Sequence, residues 1–109
     1  MGWDERRRKR AIDAVLAHVE RFPSDGLPFE QLPSVTEVFC SRAELLRALQ
    51  RDWSASLWMQ IDLIGHVTNS RLMDAGHVCR LAWDETARRR PTLRRLLDDH
   101  QDEIDLVVA

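Results

Sequence analysis

Signals for several kinds of protein are missing from this 109-residue chain. Cysteine is scarce. Cys40 and Cys79 lie far apart in sequence, which reads as two reduced, half-buried small side chains rather than a disulfide framework. No stretch alternates apolar and polar residues, and the one hairpin-type dipeptide, Asp25-Gly26, has no strand pattern beside it, which leaves no basis for a sheet. There is no repeat at solenoid spacing and no low-complexity segment. The longest apolar patch, Leu57 to Ile64, is interrupted by Gln60 and Asp62, too short and too polar to cross a bilayer. Charge is nearly balanced, with a small negative excess. Sixteen basic residues face eighteen acidic ones, so the overall balance does not call for nucleic acid. The N-terminus has a basic cluster where a secretory signal needs an apolar run, and Arg6 stands where a Met-Gly start would need Ser or Thr for myristoylation. The expected location is cytoplasmic. Lysine is nearly absent, with Lys9 alone among many arginines, a compositional trait with no chemical consequence.

What is present is helical. One long helix is predicted from Ser41 to about Val67. Leu46, Leu49, Trp53, Leu57, Ile61 and Ile64 recur three and four apart along it. Past Ala55 it is apolar on nearly all sides, with Trp58, Met59 and Leu63 added to the stripe, and a helix of that kind needs cover on every side. A first helix is predicted over about Asp4 to Arg21, with Ile12, Val15, Leu16 and Val19 on one face and a stop at Pro23-Ser24-Asp25-Gly26. Between Pro28 and Pro33 there is room for one turn. Ser34-Val35-Thr36-Glu37 and Ser41-Arg42-Ala43-Glu44 both have capping-box spacing, and each serine is expected to start a helix.

A break is expected at Thr68-Asn69-Ser70, then a helix from about Arg71 to Arg89 with Leu72, Val78, Cys79, Ala82 and Trp83 on its stripe. Gly76 within it points to close approach of a neighbour. Pro91 or Thr92 opens a last helix of uncertain length, carrying Leu93, Leu96, Leu97 and Ile104. The expected fold class is all-α: one domain over residues 1–109, a bundle of four to six helices around the long central one.

The stretch Phe39-Cys40-Ser41-Arg42-Ala43-Glu44-Leu45-Leu46, after an amphipathic helix and short helices, resembles the DNA-binding end of TetR-type transcriptional regulators. There a Phe-x-Ser-Lys-x-x-Leu-Leu stretch opens the fourth helix. The segment from Ala82 to His100 is similar to helices of their ligand-binding domains. The resemblance implies an arrangement of helices. It departs where such regulators read DNA. Only Pro28 to Val38 stands in place of the helix-turn-helix, and Ser34 to Val38 offers no Arg, Lys, Asn or Gln and includes Glu37. No DNA-contact residue carries over.

Chemistry-bearing residues are few. Arg6, Arg7, Arg8, Lys9 and Arg10 cover all faces of the first helix. They read either as a phosphate-binding arm, extended by Arg88 to Arg90, or as a solvated helix end. Asp98, Asp99, Asp102, Glu103 and Asp105 make an acidic C-terminal segment, either solvated or complementary to those arginines. Asp74 and His77 share a helical face, but a single pair falls short of the ligands a metal site needs. His18, His66, His77 and His100 are scattered, and nothing pairs one with Cys40 or Cys79 as base with nucleophile. Trp53 and Trp83 fall on stripes and are expected in the core. Trp58 lies about 120° around the helix from Ile64 at 3.6 residues per turn, which marks it as an interface anchor or as a core residue of a second neighbouring helix.

The sequence therefore points to a small, non-enzymatic binding or regulatory protein, without a cofactor. It is expected to act as a homodimer or on another protein through Trp58, Met59 and Leu63. Nucleic-acid binding through the basic first helix is the alternative, and a membrane partner is not expected.

Overall fold

A computed structural model describes residues 2–67 and 74–108. Among them the chain is all-α, with six helices, no strands and 84% helical content. They are α1 (Gly2–Arg21), α2 (Pro33–Thr36), α3 (Arg42–Val67), α4 (Ala75–Arg89), α5 (Pro91–Asp99) and α6 (Gln101–Val108), with a 3-10 turn at Pro23–Asp25. The expected break at Thr68-Asn69-Ser70 and the helical residues Arg71 and Leu72 lie outside the described residues.

The core gathers around the first half of α3. Leu45, Leu46, Ala48, Leu49 and Trp53 meet Ala11, Val15 and Val19 of α1, Val35 of α2, Phe39, the Leu93, Leu96 and Leu97 of α5, and Ile104 of α6. These are the three-and-four-spaced residues of each helix, so the amphipathic pattern accounts for the packing. No α3 residue beyond Trp53 joins this cluster. The second half of α3 packs instead against α4, which returns along it and brings Arg90 back to Asp52 and Ser56.

Helix starts differ from one another in a way that the capping chemistry explains. Ser41 caps α3: its Oγ accepts from the Glu44 amide at 3.2 Å, while Glu44 reaches back to the Cys40 amide at 2.9 Å. The matching box at Ser34 does not form. Pro33 takes the first helical position and Leu32 is the cap residue, so Ser34 lies inside α2. Asp74 caps α4, its Oδ1 accepting from the His77 amide at 2.7 Å.

Three further expectations are corrected. The last helix is two, α5 and α6, because the backbone turns at His100. Gly76 meets no neighbouring helix among the described residues, where a Cβ would touch only Asp74 Oδ1. In the second half of α3, the residue most deeply covered is Gln60, seven on from Trp53, whereas Leu57, Ile61 and Ile64 are half-buried.

Candidate functional site

Two stretches of helix carry the residues singled out by sequence. The first is the outer face of α3 after Trp53. Trp58, Met59 and Leu63 are 64%, 67% and 51% exposed, against 1% for Trp53 one turn and a half earlier. The difference is a matter of neighbours. The first half of α3 shares the core cluster with α1, α2, α5 and α6, whereas among the described residues the second half packs mainly against α4. Asp62 and His66 are exposed beside these residues. A wet tryptophan flanked by methionine and leucine is an apolar patch that lone soluble chains tend to avoid.

The second stretch is the start of α1. Arg6, Arg7, Arg8, Lys9 and Arg10 are all exposed. Arg8 lies 3.8 Å from Glu44 and 5.9 Å from the centre of the Phe39 ring, so it braces the α3 cap. Lys9 pairs with Asp13 one turn on. Arg6, Arg7 and Arg10 make no ion pair among the described residues. Arg88 and Arg89 do not join them electrostatically: both bind Glu85, whose carboxyl they hold down at about 2. Arg90 is tied to Asp52 at 2.8 Å and to Ser56 at 2.9 Å.

Between these stretches lies a cleft of about 700 Å³. Ala48, Arg51 and Ala55 of α3 form one side, Arg8, Lys9 and Ile12 of α1 the other, and Arg90 closes an edge.

The acidic C-terminal segment is partly used within the chain. Glu103 accepts two bonds from Arg42 at 2.8 and 2.9 Å, which lowers its pKa and raises that of Arg42. Asp98 accepts from Arg94 in the same helix. The basic run of α1 does not meet this segment in any ion pair among the described residues.

One arrangement was not legible beforehand. The Arg94 guanidinium sits 4.5 Å from the Trp53 ring centre and 4.8 Å from that of Trp83, and the two rings meet edge-on at 5.0 Å. Trp83 is therefore a lid on the core, 43% exposed, rather than part of it. Three helices supply this cluster, so no local spacing announces it. The stacked cation fixes where α4 and α5 meet α3.

The residues weighed for catalysis or metal stay apart. Cys40 and Cys79 are both exposed. Both depart from the half-buried placement expected of them, Cys79 from a position on the apolar stripe of its helix. Asp74 is engaged as a helix cap. Among the described residues no three His, Cys, Asp or Glu side chains converge on one point, and no helix is long and apolar enough to cross a membrane. No family model, curated protein or solved structure matches this chain.

Proposed function

We propose that this chain is a small cytoplasmic, non-enzymatic protein that works by association, and that its first partner is a second copy of itself. The carrying observation is the contrast along α3: a core tryptophan at position 53, then Trp58, Met59 and Leu63 in solvent on the same helix. Interface anchors are enriched in tryptophan, and a two-fold pair lets one patch cover its own equivalent. A regulatory or assembly role follows from that mode of action.

The test is the pair Trp58→Glu with Met59→Glu, followed by light scattering and far-ultraviolet circular dichroism. A dimer held at this face becomes a monomer with its helix content retained, because charge at a closed apolar contact has no partner. Unchanged mass in the folded variant, or a wild type that stays monomeric at high concentration, contradicts the reading.

A second reading rests on a separate observation. Arg6, Arg7 and Arg10 are exposed and make no ion pair among the described residues, which leaves three cations free for phosphate. In this reading the chain is a TetR-like remnant that binds nucleic acid through α1. Binding of that kind weakens steeply with salt, and Arg6, Arg7 and Arg10 changed together to Ala flatten the salt slope by about three ion releases. Absence of a complex with duplex at low salt removes it.

A further inference from the structure

The exposed face of α3 has a spacing that fits a particular partner geometry. Arg51, Ala55, Trp58 and Asp62 follow one another at steps of four, three and four, the rhythm of a two-helix seam. At about 100° per residue they fall within about 60° of one another around the helix. All four are exposed. Ala48, only 9% exposed on the cleft wall, and the exposed Gly65 extend the same row at steps of three, and a Cβ on Gly65 would meet nothing among the described residues. Arg51 and Asp62 have no ionic partner among the described residues.

This row is self-complementary when reversed. About the midpoint between Ser56 and Leu57, Arg51 is the mirror position of Asp62, Ala55 of Trp58, and Ala48 of Gly65. We propose that two copies pair through an antiparallel α3–α3 seam in this register, with Trp58 of each copy seated in the other's α1–α3 cleft. The proposal rests on the homodimer reading above and fixes its geometry. Cation meets anion twice, the large tryptophan meets the small Ala55 twice, and the backbones approach at Ala48 and Gly65. The row from Ala48 to Gly65 runs about 25 Å at 1.5 Å per residue.

The cleft and the patch then explain each other. Ala48, Arg51 and Ala55 are both half of the reversed row and the α3 side of the 700 Å³ cleft. The partner's Trp58 and Asp62 arrive over those residues. Arg51 is the cation of the cleft that lacks an ion pair among the described residues, since Arg8, Lys9 and Arg90 hold Glu44, Asp13 and Asp52. Met59 and Leu63 lie beside the row and close its flank. In this arrangement Arg8 and Lys9 border a protein interface.

Reciprocal charge exchange tests the register. Arg51→Asp sets two carboxylates opposite each other, and Asp62→Arg sets two guanidiniums opposite each other. Each single change is expected to weaken the dimer at least about tenfold by sedimentation, and the double exchange to return it to within about threefold of wild type. A covalent check uses Cys40→Ser and Cys79→Ser as background. Ala55→Cys then places two thiols about 4.5 Å apart along the seam, whereas Gly65→Cys places them about 25 Å apart. Oxidation is expected to link the first and not the second; a parallel pair would link both. If the Trp58 and Met59 changes dissociate the dimer but the double exchange is no better than the worse single, the dimer stands and this register is wrong. If the wild type is monomeric, both fall.

Discussion

The two halves of α3 share one helix and have opposite surroundings. From Arg42 to Trp53 the helix is clasped by α1, α5 and α6, and its apolar residues are at most 9% exposed at Leu45, Leu46, Ala48, Leu49 and Trp53. From Ser54 onward it packs mainly against α4 among the described residues, its most covered residue is Gln60, and its largest side chain stands in solvent. The first half is the core of this chain, and the second leaves Trp58, Met59 and Leu63 exposed among the described residues. Apolar content is similar in the two halves. What differs is the supply of neighbours among the described residues.

Substitutions sharpen that difference. The largest effect on monomer stability is expected in the first half: Leu49→Ala opens a cavity with cover on all sides and costs about 2–5 kcal/mol in chemical denaturation. The same truncation at Leu63, measured where the protein is monomeric, stays within about 0.5 kcal/mol. Equal costs at the two positions would erase the distinction between the halves. Next comes the join between them. Arg94→Leu removes the cation lying on Trp53 and Trp83 and costs about 1–2 kcal/mol, with a change in the near-ultraviolet dichroism of the tryptophans. At the start of the first half, Ser41→Ala loses the cap bond to the Glu44 amide and costs about 1 kcal/mol, whereas Ser34→Ala costs a few tenths at most because Ser34 caps nothing.

The smallest effect is with acid. The Glu85 carboxyl, on the helix that flanks the second half, is held at about 2 against an ordinary 4.5 by Arg88 and Arg89. A depressed folded value means its contribution is complete above about pH 4.5 and is lost as pH falls toward about 2. Glu85→Gln is expected to flatten that part of the stability profile slightly and to leave neutral pH little changed. Exposure to solvent keeps the change small.

How much of this the sequence disclosed depends on the range of each interaction. The all-α class, the extent of α3 and the cap at Ser41 were readable because three-and-four spacing and capping chemistry act within a few residues. The box at Ser34 misled because the neighbouring Pro33 competes for the same turn and its fixed backbone takes the first helical position. Trp58, Met59 and Leu63 stood out by lying off the stripe, and their exposure followed from counting the available helices. Trp83 was misplaced, since its stripe position is the same whether it ends inside the core or over its rim. The Arg94 stack, the Arg42–Glu103 bridge and the α1–α3 cleft join residues distant in sequence and have no local signature.

The central claim is that the second half of α3 is completed by a second copy. Sedimentation of the wild-type chain across a wide concentration range tests it most directly. The expected result is a species of twice the 12.7 kDa chain mass that gives way to the single chain on dilution, and that is absent at every concentration in the folded Trp58→Glu, Met59→Glu variant. A wild-type mass of one chain at the highest concentration, or the same dimer in that variant, would contradict it.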